Sequence, residues 1–115
     1  MTEGQTAVLA VPGGYVARLD GDVDRAVVDA VEDEIVRRTT PTAGLVVDLG
    51  AVSFLDSAGV SLLDRLVRRH EQGGAAVLIV APEGGSPRFS LRVCGFRPDL
   101  LANALPEALA AIAPR

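Results

Sequence analysis

The chain has 115 residues, 49% of them hydrophobic, and a net charge of −4, which predicts one domain, residues 1–115, with a single modest core and no nucleic-acid partner. All 11 basic residues are arginine, which excludes a lysine-containing phosphate-binding loop and a Schiff-base lysine. A single cysteine, Cys94, excludes an internal disulfide and a cysteine metal cluster.

Hydrophobic patterning near the start of the chain predicts a β-hairpin. Its strands are Ala7–Val11 and Tyr15–Leu19, joined by a turn that contains proline and glycine. We expect the acidic segment Asp20–Asp24 to end the second strand. Asp22 or Asp24 then caps the first helix, because aspartate is a favoured N-cap residue.

Strands and helices alternate along the rest of the chain. The first helix ends near Arg38, and the second begins near Ser57 and extends to about His70. The apolar runs Leu45–Leu49 and Ala75–Ala81 predict strands, the second of them buried on both faces.

The final third predicts two further helices and a short strand between them. The helices are Ser86–Cys94 and Glu107–Ile112, and Leu100 and Leu101 predict a brief edge strand. The order β-β-α-β-α-β-α-(β)-α predicts an α/β fold with four helices. Its sheet is mixed and mostly parallel, with four to five strands and an N-terminal hairpin.

The most informative segment is Leu55–Val60, with the sequence LDSAGV, between a predicted strand and an amphipathic helix. Asp56 and Ser57 are both favoured N-cap residues, and a cap alone contributes about 1 kcal/mol. The free N–H groups and positive dipole of a helix start also stabilise an added phosphate. The hydroxyl is therefore either a structural cap or a switch. Since functional loops follow the strands of such sheets, we expect Asp20–Asp24 and Asp48–Ser57 to share one end.

Catalysis by Ser57 is disfavoured by the position of the single histidine. His70 lies about one helix length away, at roughly 1.5 Å per residue, so a Ser-His-Asp triad would require it to fold back. We expect His70 to be a solvated residue near the end of the second helix, where a partial positive charge is favourable. The sequence predicts no enzyme activity, no cofactor and no metal site.

Several motifs, in order, resemble the STAS domain family, named for sulfate transporters and anti-sigma-factor antagonists. Leu19–Asp24 is similar to the family's L-x-G-x-[LV]-D signature. Leu45–Leu49 followed by Phe54–Gly59 is similar to its strand and D-S-[ST/A]-G switch loop. Gly73–Gly74 before an apolar strand and Val93–Phe96 at the end of a short helix are similar to later landmarks. The resemblance covers nearly the whole chain and implies the STAS fold.

The resemblance implies a free-standing anti-sigma-factor antagonist. In such members, the serine after the motif aspartate is phosphorylated by an ATP-binding serine kinase that is also the anti-sigma factor, and a serine phosphatase opposes it. That serine corresponds to Ser57, while Ala58 replaces a second hydroxyl found in many relatives. Gly59 either permits close approach of the partner or fits a tight helix start. The implied partner-binding residues are Asp24, Asp56, Ser57, Ala58, Gly59 and Val60.

A second class within the same family stays open. Small STAS proteins also serve as adaptor subunits on the ATPase of phospholipid-transport ABC systems, where phosphorylation is not the established mode of regulation. The retained Asp56–Ser57 pair favours the switch. Because no apolar run approaches the roughly 20 residues that span a bilayer and no signal peptide is visible, we expect a cytoplasmic protein without direct membrane insertion. Whether it forms a homodimer is left open.

Overall fold

The computed structural model describes residues 5–114 and contains one mixed five-stranded sheet. The strands are β1 (Gln5–Val11), β2 (Gly14–Val23), β3 (Gly44–Leu55), β4 (Val77–Val80) and β5 (Leu101–Ala102). The helices are α1 (Val28–Arg38), α2 (Ser57–Gln72), α3 (Ser86–Val93) and α4 (Leu105–Ile112), with a 3-10 turn at Pro98–Leu100. The sheet order is β1-β2-β3-β4-β5, with β1 antiparallel to β2 and the other pairs parallel. The predicted α/β fold, element order and N-terminal hairpin are confirmed.

The two faces of the sheet carry cores of unequal size. Helices α1, α2 and α3 cover one face and enclose the large core, which includes Ile35, Leu63 and Leu91. Helix α4 covers part of the other face through Ala108 and Ile112 and encloses the small core. Among the residues that the structure describes, no helix is both long and apolar enough to cross a membrane.

Strands β2 and β3 are longer than their hydrophobic patterns predict. The expectation that Asp20–Asp24 ends the second strand is wrong, because β2 continues to Val23 and pairs with the end of β3. The register shifts twice in this region, and Gly21 adopts a positive φ of 76° that other residues rarely tolerate. Pairing with a neighbouring strand therefore overrides the poor strand propensity of the acidic segment.

The start of α1 also differs from the expectation. Its N-cap is Val27, which has no side chain that can cap, and Asp22 lies within β2. Asp24 instead organises the preceding turn, because its Oδ1 accepts a hydrogen bond from Ala26 N–H at 3.0 Å. The Asp24 carbonyl also accepts from Val27 and Val28 N–H, both at 3.0 Å. Asp24 therefore stabilises the turn that precedes α1 and does not cap α1 itself.

His70 is completely buried, with 0% of its surface exposed, so the expectation of a solvated histidine is wrong. It follows Leu63, Leu66 and Val67 on the buried stripe of α2. His70 Nδ1 lies 2.8 Å from the Ala43 carbonyl oxygen, and Nε2 lies 3.1 Å from Arg69 Nη1. The end of α2 is thereby fastened to the segment that leads into β3.

Candidate functional site

The two aspartate-containing loops meet at one end of the sheet because β2 and β3 are parallel and end together. Val23 pairs with Leu55, the last residue of each strand. Asp56 N–H then donates to the Val23 carbonyl at 3.3 Å. The loops that begin at Asp24 and Asp56 are therefore neighbours, as the sequence pattern predicts.

Asp56 holds these two loops together with its two carboxylate oxygens. Oδ1 accepts from Gly59 N–H at 2.9 Å and so caps α2, while Oδ2 accepts from Arg25 N–H at 3.2 Å. The backbone of Asp56 is extended, as is usual for an N-cap residue. A single side chain thus fixes both the start of α2 and the turn before α1.

Ser57 is the exposed first residue of α2, a helix of 16 residues. Because Asp56 provides the cap, the hydroxyl of Ser57 is not needed for that role. The first turn of α2 contains no acidic residue, and the negative charge at this helix start is the N-cap carboxylate of Asp56. An added phosphate at Ser57 would meet the helix dipole and the remaining N–H groups of the first turn, together with the neighbouring Asp56 carboxylate.

An open cleft of about 380 Å³ lies beside Ser57, between the starts of α1 and α2. Ser57, Ser61 and Arg65 recur at every fourth residue and therefore share one face of α2. The lining residues are Arg25, Val28, Asp29, Ser57, Ala58, Ser61 and Arg65. Ser57 thus lines a polar cleft together with two arginines and the acidic Asp29.

The two arginines of the cleft are held differently. Arg65 Nε and Nη2 both donate to Glu32 Oε1, at 3.1 and 2.9 Å, which ties α2 to α1. This hydrogen-bonded carboxylate raises the pKa of Arg65 above its ordinary value, so the group stays charged. Arg25 is exposed and is positioned through its backbone, which Asp56 holds.

The other predicted binding residues lie at different depths. Asp24 and Ala58 are half-buried, whereas Gly59 is buried and Val60 has only 5% of its surface exposed. A Cβ on Gly59 would lie 2.4 Å from Leu55 Cδ1 and 2.8 Å from the Val23 carbonyl oxygen. The absence of a side chain therefore lets α2 pack against the ends of both strands.

Sequence reasoning did not select two residues that line the cleft beside Ser57, Arg25 and Arg65. It also did not select Phe54, which is 48% exposed and lies in β3 three residues before Ser57. The spacing of Ser57 and Arg65, two turns apart on a helix, is a signal for the second arginine. No comparable signal exists for Arg25, since its position depends on the contact between two loops distant in sequence.

Comparison with known families identifies the family and the fold. A model of the STAS domain matches residues 5–108, so the chain belongs to the STAS domain family. No curated protein matches the chain. An anti-sigma factor antagonist from Mycobacterium paratuberculosis is 26% identical, with a TM-score of 0.78 over 96% of this chain and 94% of that one.

Two more distant structures share the fold. RsbS from Moorella thermoacetica is 18% identical, with a TM-score of 0.75 over 94% of each chain. The phosphorylated form of the Bacillus cell fate determinant SpoIIAA is 20% identical, with a TM-score of 0.69 over 93% of this chain and 97% of that one. At these identities the similarity concerns the fold.

Proposed function

We propose that this protein is an anti-sigma-factor antagonist switched by phosphorylation of Ser57. Unphosphorylated, it binds an ATP-binding serine kinase that is also an anti-sigma factor, in the cytoplasm, and displaces the sigma factor. Phosphorylation by that kinase releases the antagonist, and a serine phosphatase restores it. The protein then acts by binding and carries no catalytic site of its own. Membership of the STAS family and the 26% identical antagonist support this role.

The observation that carries the proposal is the exposed Ser57 hydroxyl on a helix start already capped by Asp56. A kinase can reach this hydroxyl without opening the fold. Since the Asp56 carboxylate bonds to Gly59 and Arg25 N–H rather than to Ser57, phosphorylation leaves the cap in place. The modification therefore changes the surface and not the architecture.

The charge of the phosphate determines how far phosphorylation lowers the affinity for the partner. A phosphate adds about −1.5 to −2 charges at neutral pH. The helix start tolerates this charge within the protein, but a partner surface built to fit a neutral hydroxyl meets repulsion and a steric clash that cost several kcal/mol. Because about 1.4 kcal/mol corresponds to a tenfold change in affinity, this suffices to turn binding off.

The predicted binding residues divide into contacts and supports. We propose that Asp24, Ser57 and Ala58 contact the partner, since each reaches the surface. Asp56 fixes the loop from within, and the buried Gly59 and Val60 support it from below. The exposed ring of Phe54 extends the contact surface as an apolar anchor, since aromatic residues are enriched at the cores of interfaces.

The test is affinity capture from a lysate of the source organism with two immobilised variants. Ser57→Ala keeps the binding-competent surface, and Ser57→Asp introduces a negative charge at the same position. The matched controls are Ser61→Ala and Ser61→Asp, one turn further along the same face of α2. Captured proteins are identified by mass spectrometry, and their affinities for all four variants are measured by titration calorimetry.

We expect Ser57→Ala to capture a small ATP-binding kinase and Ser57→Asp to bind it at least tenfold more weakly. The Ser61 pair should differ much less. The purified kinase with ATP should phosphorylate the unmodified protein at Ser57. Equal affinity of the two Ser57 variants would refute the switch. Capture of an ABC-transporter ATPase by both would identify an adaptor subunit instead.

A further inference from the structure

Strand β1 forms one edge of the sheet, and its outer side pairs with no strand formed by residues 5–114. An open edge presents backbone donors and acceptors that can pair with another chain. Natural edges are commonly protected by charged residues, proline or bulges. The segment Thr6–Val11 has none of these: it contains no charged residue and no proline, and its register with β2 is uninterrupted.

The hairpin register determines which groups point outward. Val11 and Gly14 flank the turn and face each other, so their backbone groups are directed between β1 and β2. Because this direction alternates along a strand, Leu9 and Ala7 also bond inward. The N–H and C=O groups of Thr6, Val8 and Ala10 therefore point away from the sheet.

Three side chains of this edge, Ala7, Leu9 and Ala10, are both apolar and exposed. Leu9 is 64% exposed on the face that carries α4, and Ala7 beside it is exposed as well. The nearest charges on β2, Arg18 and Asp20, form an ion pair with Nε and Oδ1 3.5 Å apart. The edge is thus locally neutral although the chain carries a net charge of −4.

We propose that β1 pairs antiparallel with β1 of a second copy about a two-fold axis at Val8. Val8 then pairs with Val8 of the second copy and Thr6 with Ala10, each pair exchanging both of its outward hydrogen bonds. Leu9 of each copy packs against Ala7 of the other copy, so a large side chain meets a small one at both symmetry-related contacts. The two sheets become continuous, and the interface is closed and isologous.

The pattern favours a second copy over a foreign strand because it complements itself. When a second β1 is placed antiparallel to the first and centred on Val8, the outward N–H groups of each strand face the outward C=O groups of the other. The exposed Leu9 then lies opposite Ala7 of the second copy. A seven-residue edge buries less than the roughly 1,200–2,000 Å² of a stable interface, so the dimer is weak and reversible. It leaves Ser57 accessible, since β2 separates β1 from β3, and it stands independently of the proposed function.

Cysteine cross-linking tests the register. In a Cys94→Ser background, which removes the exposed native thiol, Ala7→Cys and Leu9→Cys are prepared as separate proteins. The proposed pairing places position 7 opposite position 9 of the other copy, at a non-hydrogen-bonded pair with Cα atoms about 4.5 Å apart. Identical positions lie on a diagonal, about 7–8 Å apart, beyond the reach of an unstrained disulfide.

We expect mild oxidation of the mixture to give the disulfide-linked dimer in at least tenfold higher yield than either protein alone. Failure of the mixture to cross-link, with both thiols still titratable, would overturn the proposal. Efficient cross-linking of one variant with itself would overturn the stated axis.

A proline variant tests the hydrogen bonds of the outer edge. Ala10→Pro removes an outward N–H and leaves the β1–β2 ladder intact, whereas its control Ala10→Ser keeps that N–H. Sedimentation equilibrium should show self-association of the unmodified protein and of Ala10→Ser, weakened at least tenfold in Ala10→Pro. A monomeric unmodified protein at millimolar concentration would contradict the proposal, and the cysteine pair decides the question if Ala10→Pro does not fold.

Discussion

At the scale of single residues, Gly59 occupies a position where the fold leaves no room for a side chain. It occupies the first turn of α2, where alanine ordinarily stabilises a helix by up to about 1 kcal/mol relative to glycine. Here an added Cβ would lie 2.8 Å from the Val23 carbonyl oxygen, which is backbone and cannot move aside. The packing penalty therefore outweighs the gain in helix propensity.

We predict that Gly59→Ala lowers the free energy of unfolding by about 1–3 kcal/mol, the usual range for overpacking. Urea denaturation measures this change. The control is Ser61→Ala at an exposed position of the same helix, which should be neutral or slightly stabilising. Unchanged stability of Gly59→Ala would mean that the strand ends relax at little cost and that the fold does not require glycine here.

Asp56 is predicted to perform two separable tasks. Asn at this position keeps one side-chain oxygen, which can still cap Gly59 N–H, but has none left for Arg25 N–H. Ala removes both hydrogen bonds and should cost about 1–2 kcal/mol. Amide hydrogen exchange should be faster at Arg25 in both variants and faster at Gly59 only in Asp56→Ala. Unchanged exchange at Arg25 in Asp56→Asn would show that the loop is held by other contacts.

At the scale of elements, the end of α2 is fastened by two neighbouring side chains, the half-buried Arg69 and the buried His70. Arg69 donates to the carbonyl oxygen and hydroxyl of Thr39, both at 2.9 Å, and His70 bonds to Ala43. Because Arg69 can only donate, His70 Nε2 accepts and Nδ1–H donates, which defines a neutral imidazole. Burial first, and then the neighbouring Arg69 cation, hold the pKa of His70 below its ordinary value of 6.5.

This environment of His70 predicts that the free energy of unfolding decreases as the pH is lowered. Since the folded state binds the proton less readily than the unfolded state, the contribution of His70 is complete above about pH 6.5 and is lost as pH decreases below that value. Urea unfolding between pH 8 and 5.5 measures the slope. His70 is the single histidine, so His70→Gln, which does not titrate, should remove most of it. An equal slope in the variant would assign the pH dependence to other groups.

The elements that sequence patterns predict well are those whose own residues determine them. Helix α2 and strand β4 follow from apolar periodicity and from a continuous apolar run, and both are present. The extensions of β2 through Gly21 and of β3 to Leu55 exist because each strand pairs with the other, and no local pattern contains that information. His70 was misjudged for a related reason, since a position near a helix end does not reveal which segment covers it.

At the scale of the molecule, the sequence predicts where the candidate site lies better than it predicts which residues contact one another there. Parallel strands that end together bring Asp24 and Asp56 to one edge, which the alternation of strands and helices predicts. The contact between Asp56 and Arg25 and the burial of Gly59 depend on the three-dimensional approach of two loops. The pattern therefore predicts the topology, whereas it does not predict which residues of the site are buried and which are exposed.

The unequal cores predict that the molecule does not open uniformly. Helix α4 is held by the small core and by the hairpin turn, where a Cβ on Gly13 would lie 1.9 Å from the Ile112 carbonyl oxygen. Helix α2 is anchored in the large core. We predict that α4 amides exchange through local opening at a lower free energy than α2 amides.

Ile112→Ala should accelerate exchange in α4 at least tenfold more than Ile112→Val while leaving α2 nearly unchanged, as measured by native-state hydrogen exchange. Equal acceleration in both helices would show that α4 belongs to one cooperative unit with the large core.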